Sequence, residues 1–77
     1  MNLYVILDRV AQESGPVFEA KNDAVAARQA RNLVEQARGA NALEFQLLRL
    51  GSIDHETNAI TTLPVPLDVT FSVPQEV

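Results

Sequence analysis

Only one stretch of this chain, Asn22 to Arg38, has the composition and spacing of an α-helix, and the segments around it read as β-strand. A single helix covers only one face of a sheet, so the fold must find another solution for the other face. Asn22 is a good N-cap and Asp23 suits the positive end of the helix dipole. The alanine-rich run that follows has high helix propensity, and Arg38 then Gly39 mark its end. At a 3.6-residue period Ala26, Ala27, Ala30, Leu33, Val34 and Ala37 share one side, opposite Arg28, Asn32, Glu35 and Gln36, with Val25 outside the stripe. Most of those inward residues are alanine, which predicts a close approach of helix to sheet with Leu33 as the main bulk. On that reading Leu33→Ala costs about 2–5 kcal/mol.

The flanking segments give the order β-β-α-β-β. Asn2 to Val10 is rich in β-branched and large apolar residues, Gln12 to Pro16 supplies a turn, and Val17 to Ala20 reads as a short second strand. Leu43 to Leu50 reads as a third strand, Gly51 to Asn58 as a tight polar connection, and Ala59 to Leu63 as a fourth strand. Beyond Pro64 the chain alternates, with Val65, Leu67, Val69, Phe71 and Val73 on one side and Pro66, Asp68, Thr70 and Ser72 on the other. This is a fifth strand, and Pro64, Pro66 and Pro74 confine it to a sheet edge because proline donates no ladder hydrogen bond. The expected fold is α+β: an antiparallel sheet with one helix on one face. Residues 1–63 form the β-β-α-β-β core and residues 64–77 a C-terminal strand that can be exchanged between subunits.

The first strand is apolar on both sides, Leu3, Val5 and Leu7 against Tyr4 and Ile6, and the third adds Leu48 and Leu50 opposite Phe45 and Leu47. A 77-residue chain buries only about 60% of its unfolded surface and needs a further stabilising device. Disulfides are excluded by the absence of cysteine, and a structural zinc by His55 being the only histidine. The expectation is therefore a homodimer, with Tyr4, Ile6, Leu48, Leu50, Leu67, Val69 and Phe71 at its interface and the C-terminal strand crossing to, or extending, the partner's sheet.

No apolar run near Met1 is long enough for secretion or membrane spanning, so a cytoplasmic protein without membrane contact is expected. Nucleophile and base sets are nearly empty: no cysteine, one histidine, and serines only at 14, 52 and 72. Ser52, Asp54 and His55 crowd one turn, where side chains fan outward and nothing holds them in a relay. A metal site at Asp54, His55, Glu56 and Asn58 lacks the glycine and distal glutamate of a calcium loop, and Asp54 and Asn58 better suit the shaping of a hairpin turn. Gly15, Gly39 and Gly51 are isolated, so there is no phosphate-cradling loop. The expectation is no enzyme, no cofactor and no metal.

The net charge of −4 argues against bulk attraction to nucleic acid, but the charge is unevenly spread. Residues 1–38 hold five basic and five acidic side chains, whereas residues 39–77 hold Arg49 against Glu44, Asp54, Glu56, Asp68 and Glu76. Lys21, Arg28, Arg31 and Arg38 give the helix one locally basic flank, suited to lying along a phosphate backbone. Glu35 is within i, i+4 reach of Arg31 and i, i+3 reach of Arg38 and neutralises part of it, so an ordinary solvated helix face competes with that reading. Tyr4, placed on the sheet face the helix does not claim, is a candidate for stacking a base, with packing at a subunit interface as the competing use.

Taken in order, Tyr4-Val5-x-x-Asp8, Ala11, Gly15-Pro16-x-Phe18-x-Ala20-x-Asn22-Asp23-x-x-Ala26-x-Arg28 and Leu47-x-x-Leu50-Gly51-x-Ile53-Asp54-x-Glu56-Thr57-x-x-Ile60 form a pattern. It resembles the small nonstructural protein of gokushovirus-type microviruses, bacteriophages with circular single-stranded DNA genomes. The resemblance covers residues 3–63, departs from the family where Asn58 replaces a frequent glycine, and does not reach the tail from Pro64. It implies a phage-encoded, non-capsid, DNA-binding protein in the infected bacterium's cytoplasm, associated with single-stranded genome synthesis or packaging. It carries over no catalytic residue. The competing expectation is a dimeric interaction module that touches no DNA and engages a phage or host replication or packaging protein through its acidic second half and the exposed sheet edge.

Overall fold

The computed structural model describes residues 1–36 and 44–70. The elements are β1 (Asn2–Asp8), β2 (Glu13–Ser14), β3 (Phe18–Ala20), α1 (Asp23–Gln36), β4 (Phe45–Asp54) and β5 (Ala59–Val69). All strand pairings are antiparallel and form one open sheet in the order β2-β1-β4-β5, with β3 beside β2 on the same edge of β1. The helix leads from β3 on one side of β1 to β4 on the other. The α+β class read from the sequence is the class observed.

Local chemistry moves several boundaries. The first hairpin turns at residues 9–12, so of the Gln12 to Pro16 stretch expected to make the turn only Gln12 takes part. Asp8 bends the chain there, its Oδ1 accepting from the Val10 and Ala11 amides at 3.0 and 3.1 Å, and Gln12 takes the left-handed φ of 57°. Gly15 and Pro16 instead divide one edge strand into β2 and β3. The third strand runs through Gly51 to Asp54, residues expected in the connection, so the turn shrinks to residues 55–58. Asp54 and Asn58 do shape it: Asp54 O accepts from Asn58 N at 2.6 Å, Asp54 Oδ1 from Glu56 N at 2.9 Å, and Asn58 adopts a φ of 60°.

The expected fourth and fifth strands are one element, because β5 passes through Pro64 and Pro66 without ending. The register explains how. Leu67 faces Arg49 and Thr62 faces Gly51, so Leu63 to Pro66 swing out of register opposite Leu50. The prolines occupy positions that need no ladder donor, on an edge strand. Residues 67–69 pair with β4 of their own chain, while Phe71 and the rest of the tail lie outside the described residues. At the other end of this irregularity a Cβ on Gly51 would collide with the Thr61 carbonyl oxygen and lie 2.9 Å from Thr62 Cα. Glycine is required there by the closeness of the two backbones.

The core comprises Tyr4, Ala20, Ala26, Ala30, Leu47 and Val69, with Ile6, Phe18, Val25 and Ala27 packed around it. Asn22 caps the helix, its Oδ1 accepting from Val25 N at 2.9 Å and its carbonyl from Ala26 N at 3.1 Å. Ala26, Ala30 and Val34 are buried as their spacing predicts, Ala27 is half-buried, and Ala37 lies outside the described residues. Leu33 departs from expectation. It is 53% exposed although its azimuth points inward, because it borders a cleft between the helix and the β2-β1 edge. Val25, excluded from the stripe, packs against the core at the helix start.

Alternation and register assign the faces. Tyr4, Ile6, Phe18, Leu47, Arg49, Leu67 and Val69 share the helix side, and Leu3, Val5, Leu7 and Leu48 share the other. Of the expected interface set, Tyr4, Ile6, Leu67 and Val69 belong to the helix side, where burial of Tyr4 and Val69 withdraws them from an interface, and Leu48 belongs to the opposite side. Leu50 is half-buried at the irregularity.

In urea denaturation Leu47→Ala should lose about 2–5 kcal/mol, whereas half-exposed Leu33→Ala should lose only about 1 kcal/mol. Gly51→Ala should cost about 1–3 kcal/mol through forced strand displacement, despite adding only a methyl group. A Gly51→Ala protein as stable as the parent would show that the close approach to Thr61 is wrong.

Candidate nucleic-acid interface

The basic side chains expected to form a surface are positioned by α1 and the segment that enters it. Lys21 and Arg28 are exposed, Arg31 is half-buried, and Arg38 lies outside the described residues. The buried side of the helix is set by Ala26 and Ala30, which puts Arg28 on its outer side and Arg31 on its flank. Among the described residues the ion pairs are Arg49–Asp23 and His55–Glu19, so Glu35 does not close on Arg31. Of the acidic groups, Asp8, Glu13, Glu19, Glu44, Asp54, Glu56 and Asp68 all sit on strands or their connections. The helix carries only Asp23, which is engaged, and Glu35, which is exposed. Most described carboxylates thus lie on the sheet and its connections, which also hold Arg9 and Arg49, while α1 carries two basic and two acidic side chains.

Tyr4 is not part of that surface. Its side chain is fully buried, its ring stacks on Phe18 at 5.8 Å between centroids, and no ring face is open to a base. Its hydroxyl donates to Asp23 Oδ1 at 2.5 Å and accepts from Asn2 Nδ2 at 3.1 Å. Arg49 Nη1 approaches the same carboxylate at 3.3 and 3.4 Å. This network joins β1, β4 and the first turn of α1. Its strongest member is the Tyr4–Asp23 bond, since hydrogen bonds to charged groups contribute about 1.5–3 kcal/mol. The Arg49–Asp23 pair is partly solvated, with side chains 30% and 44% exposed, and contributes about 0.2–1 kcal/mol. Sequence reasoning missed the network because parity alone does not say which side of β1 meets the helix. The available signal was a tyrosine on the first strand together with an aspartate at the helix start.

Burial pushes the Tyr4 hydroxyl above its ordinary pKa, and its hydrogen bond to the Asp23 carboxylate pushes in the same direction. The Asn2 hydrogen bond and the Arg49 charge oppose this, and the net direction is upward.

Ser52, Asp54 and His55 do not assemble into a relay: Asp54 is occupied by the turn, and His55 Nε2 pairs with Glu19 Oε1 at 3.1 Å across to β3. Among the described residues no three metal-ligating side chains converge, and no helix is long and apolar enough to cross a membrane.

Among the described residues the fold is a small antiparallel sheet with one helix, buried on its alanine side and carrying Arg28, Arg31 and Glu35 away from the core. The chain belongs to the family described as Phage ORF5 protein, whose model matches residues 1–73, and it is therefore a phage protein. No curated protein and no solved structure matches it.

The folded state holds the Tyr4 proton more tightly than the unfolded chain, so stability should be complete below about pH 10 and fall as pH rises through the raised pKa. Tyr4→Phe should be less stable at neutral pH and lose that alkaline decline. Thermal melts from pH 7 to 11 on both proteins measure the difference, and parallel pH curves would refute the assignment.

Proposed function

We propose that this phage protein is a non-catalytic accessory factor that binds single-stranded DNA during viral genome synthesis or packaging, acting in the bacterial cytoplasm. The observation that carries the reading is the separation of charge: Lys21, Arg28 and Arg31 on or before the helix, with most carboxylates on the sheet and its connections. Among the described residues, phosphates bound along the outer side of α1 meet Lys21, Arg28 and Arg31 with Glu35 as the carboxylate on that side of the helix. Membership of a phage family supports the setting, and the resemblance to gokushovirus-type microviruses suggests a single-stranded genome as the ligand.

The dimer is part of the same proposal, with its geometry revised. Leu3, Leu7 and Leu48 are half-buried and surround buried Val5 on the face without a helix, bordered by Glu19, Gln46 and Asp68. Two such faces packed back to back would remove this apolar stripe from water. The two helices then lie on opposite outer sides, so the dimer offers two separate basic flanks that one flexible strand can visit in turn. Exposed Asp54, Glu56 and Asp68 favour the second reading, engagement of a phage or host replication or packaging protein without DNA contact.

Fluorescence anisotropy with a labelled single-stranded oligonucleotide separates the two readings. DNA affinity should fall steeply with salt, and Arg28→Ala with Arg31→Ala should flatten the log–log slope by about 1.4, at about 0.7 per phosphate contact. Absence of any complex at low salt would leave the protein-binding reading. Light scattering should report a dimer that Leu48→Glu converts to monomer; a parent that is monomeric at high concentration would remove the back-to-back arrangement.

A further inference from the structure

The exposed position of Leu33 leads to a feature that the DNA reading does not use. Between the second half of α1 and the β2-β1 edge lies a cleft of ≈ 300 Å³, floored by Ile6, Phe18 and Phe45 and walled by Leu33 and Pro16. Asp8, Glu13 and Ser14 close one end. The two carboxylates stand on one side of the sheet because Asp8 faces Glu13 across β1 and β2, and Phe45 faces Asp8 across β1 and β4. Asp8 spends Oδ1 on the Val10 and Ala11 amides, which leaves Oδ2 outside that turn, and Glu13 is exposed. Among the described residues no lysine or arginine lines the cleft.

We propose that this cleft is a docking site for a basic peptide segment of a protein partner, taking one arginine or lysine whose aliphatic stem lies on the apolar floor. Charge complementarity selects that occupant. An arginine buries its methylenes against Ile6 and Leu33, presents its guanidinium plane to Phe18 or Phe45, and meets Asp8 and Glu13 with its head group. The volume is at the small end of ligand sites and suits a single long side chain with its flanking backbone. Anionic ligands, nucleic acid included, are repelled by the same two carboxylates. The cleft and the outer side of the helix are therefore separate surfaces for ligands of opposite charge, and the cleft stands whether or not DNA is bound.

The test is an NMR titration of the full chain with acetyl-Leu-Arg-Leu-amide, with acetyl-Leu-Glu-Leu-amide as the control. Expected are saturable shifts at the Ile6 and Leu33 methyls and the Phe18 and Phe45 rings. The glutamate peptide, and the exposed-site variant Glu13→Lys with the arginine peptide, should each bind about tenfold more weakly or less. Equal shifts with both peptides, or none with the arginine peptide, overturn the proposal. Two further outcomes also do so: Overhauser contacts from residues 71–77 into the cleft of peptide-free protein assign it to the chain's own segment, and cleft shifts that appear on concentrating the protein alone assign it to a second copy.

Discussion

The structure depends on how closely one helix approaches the sheet. Ala26 and Ala30 have no side chain beyond Cβ, so the backbone of α1 sits directly over Tyr4 and Leu47, the two largest fully buried side chains. That proximity puts the first turn of the helix beside the tyrosine hydroxyl, where Asp23 meets it. A larger residue at position 26 or 30 would lift the helix and part the Tyr4–Asp23 bond. Packing and the polar network are thus a single device: small residues set the distance, and the hydrogen bond sets the register along it. The same arrangement leaves Val34 buried and Leu33 at the open side, so the cleft is the geometric remainder of a helix tied down at its start.

Much of this was legible in the sequence, for physical reasons that differ by element. The helix start was readable because a cap is a local property: Asn22 needs only its own amides three and four residues on. The alanine stripe was readable because azimuth follows from spacing. What spacing does not give is where the supporting sheet ends, and Leu33 was misread for that reason. The face assignment failed differently. Leu3, Val5 and Leu7 are as apolar as Tyr4 and Ile6, so β1 offers two equivalent faces until the long-range partner Asp23 selects one. The merger of two expected strands into β5 was hidden because proline was read as a terminator, whereas the register with β4 simply omits residues 63–66.

The candidate surface was partly legible. Composition recorded an acidic chain, and the helix period placed the arginines together. The structure adds that, among the described residues, the acidic side chains other than Asp23 and Glu35 lie on the sheet and its connections. Tyr4 was drawn toward function by its chemistry, and it is the centre of the core because its hydroxyl finds partners there, as a buried tyrosine requires. His55, read from the sequence as part of a polar turn, bridges the β4–β5 turn to Glu19 on β3.

The outward swing of Leu63 to Pro66 has a consequence for how far the sheet can grow. β5 is an eleven-residue edge, long enough to recruit a further chain along its length. Two prolines near its centre, within a segment already out of step with β4, interrupt the row of amide donors that an added strand would need. The irregularity thus works against strand addition along this edge of the sheet.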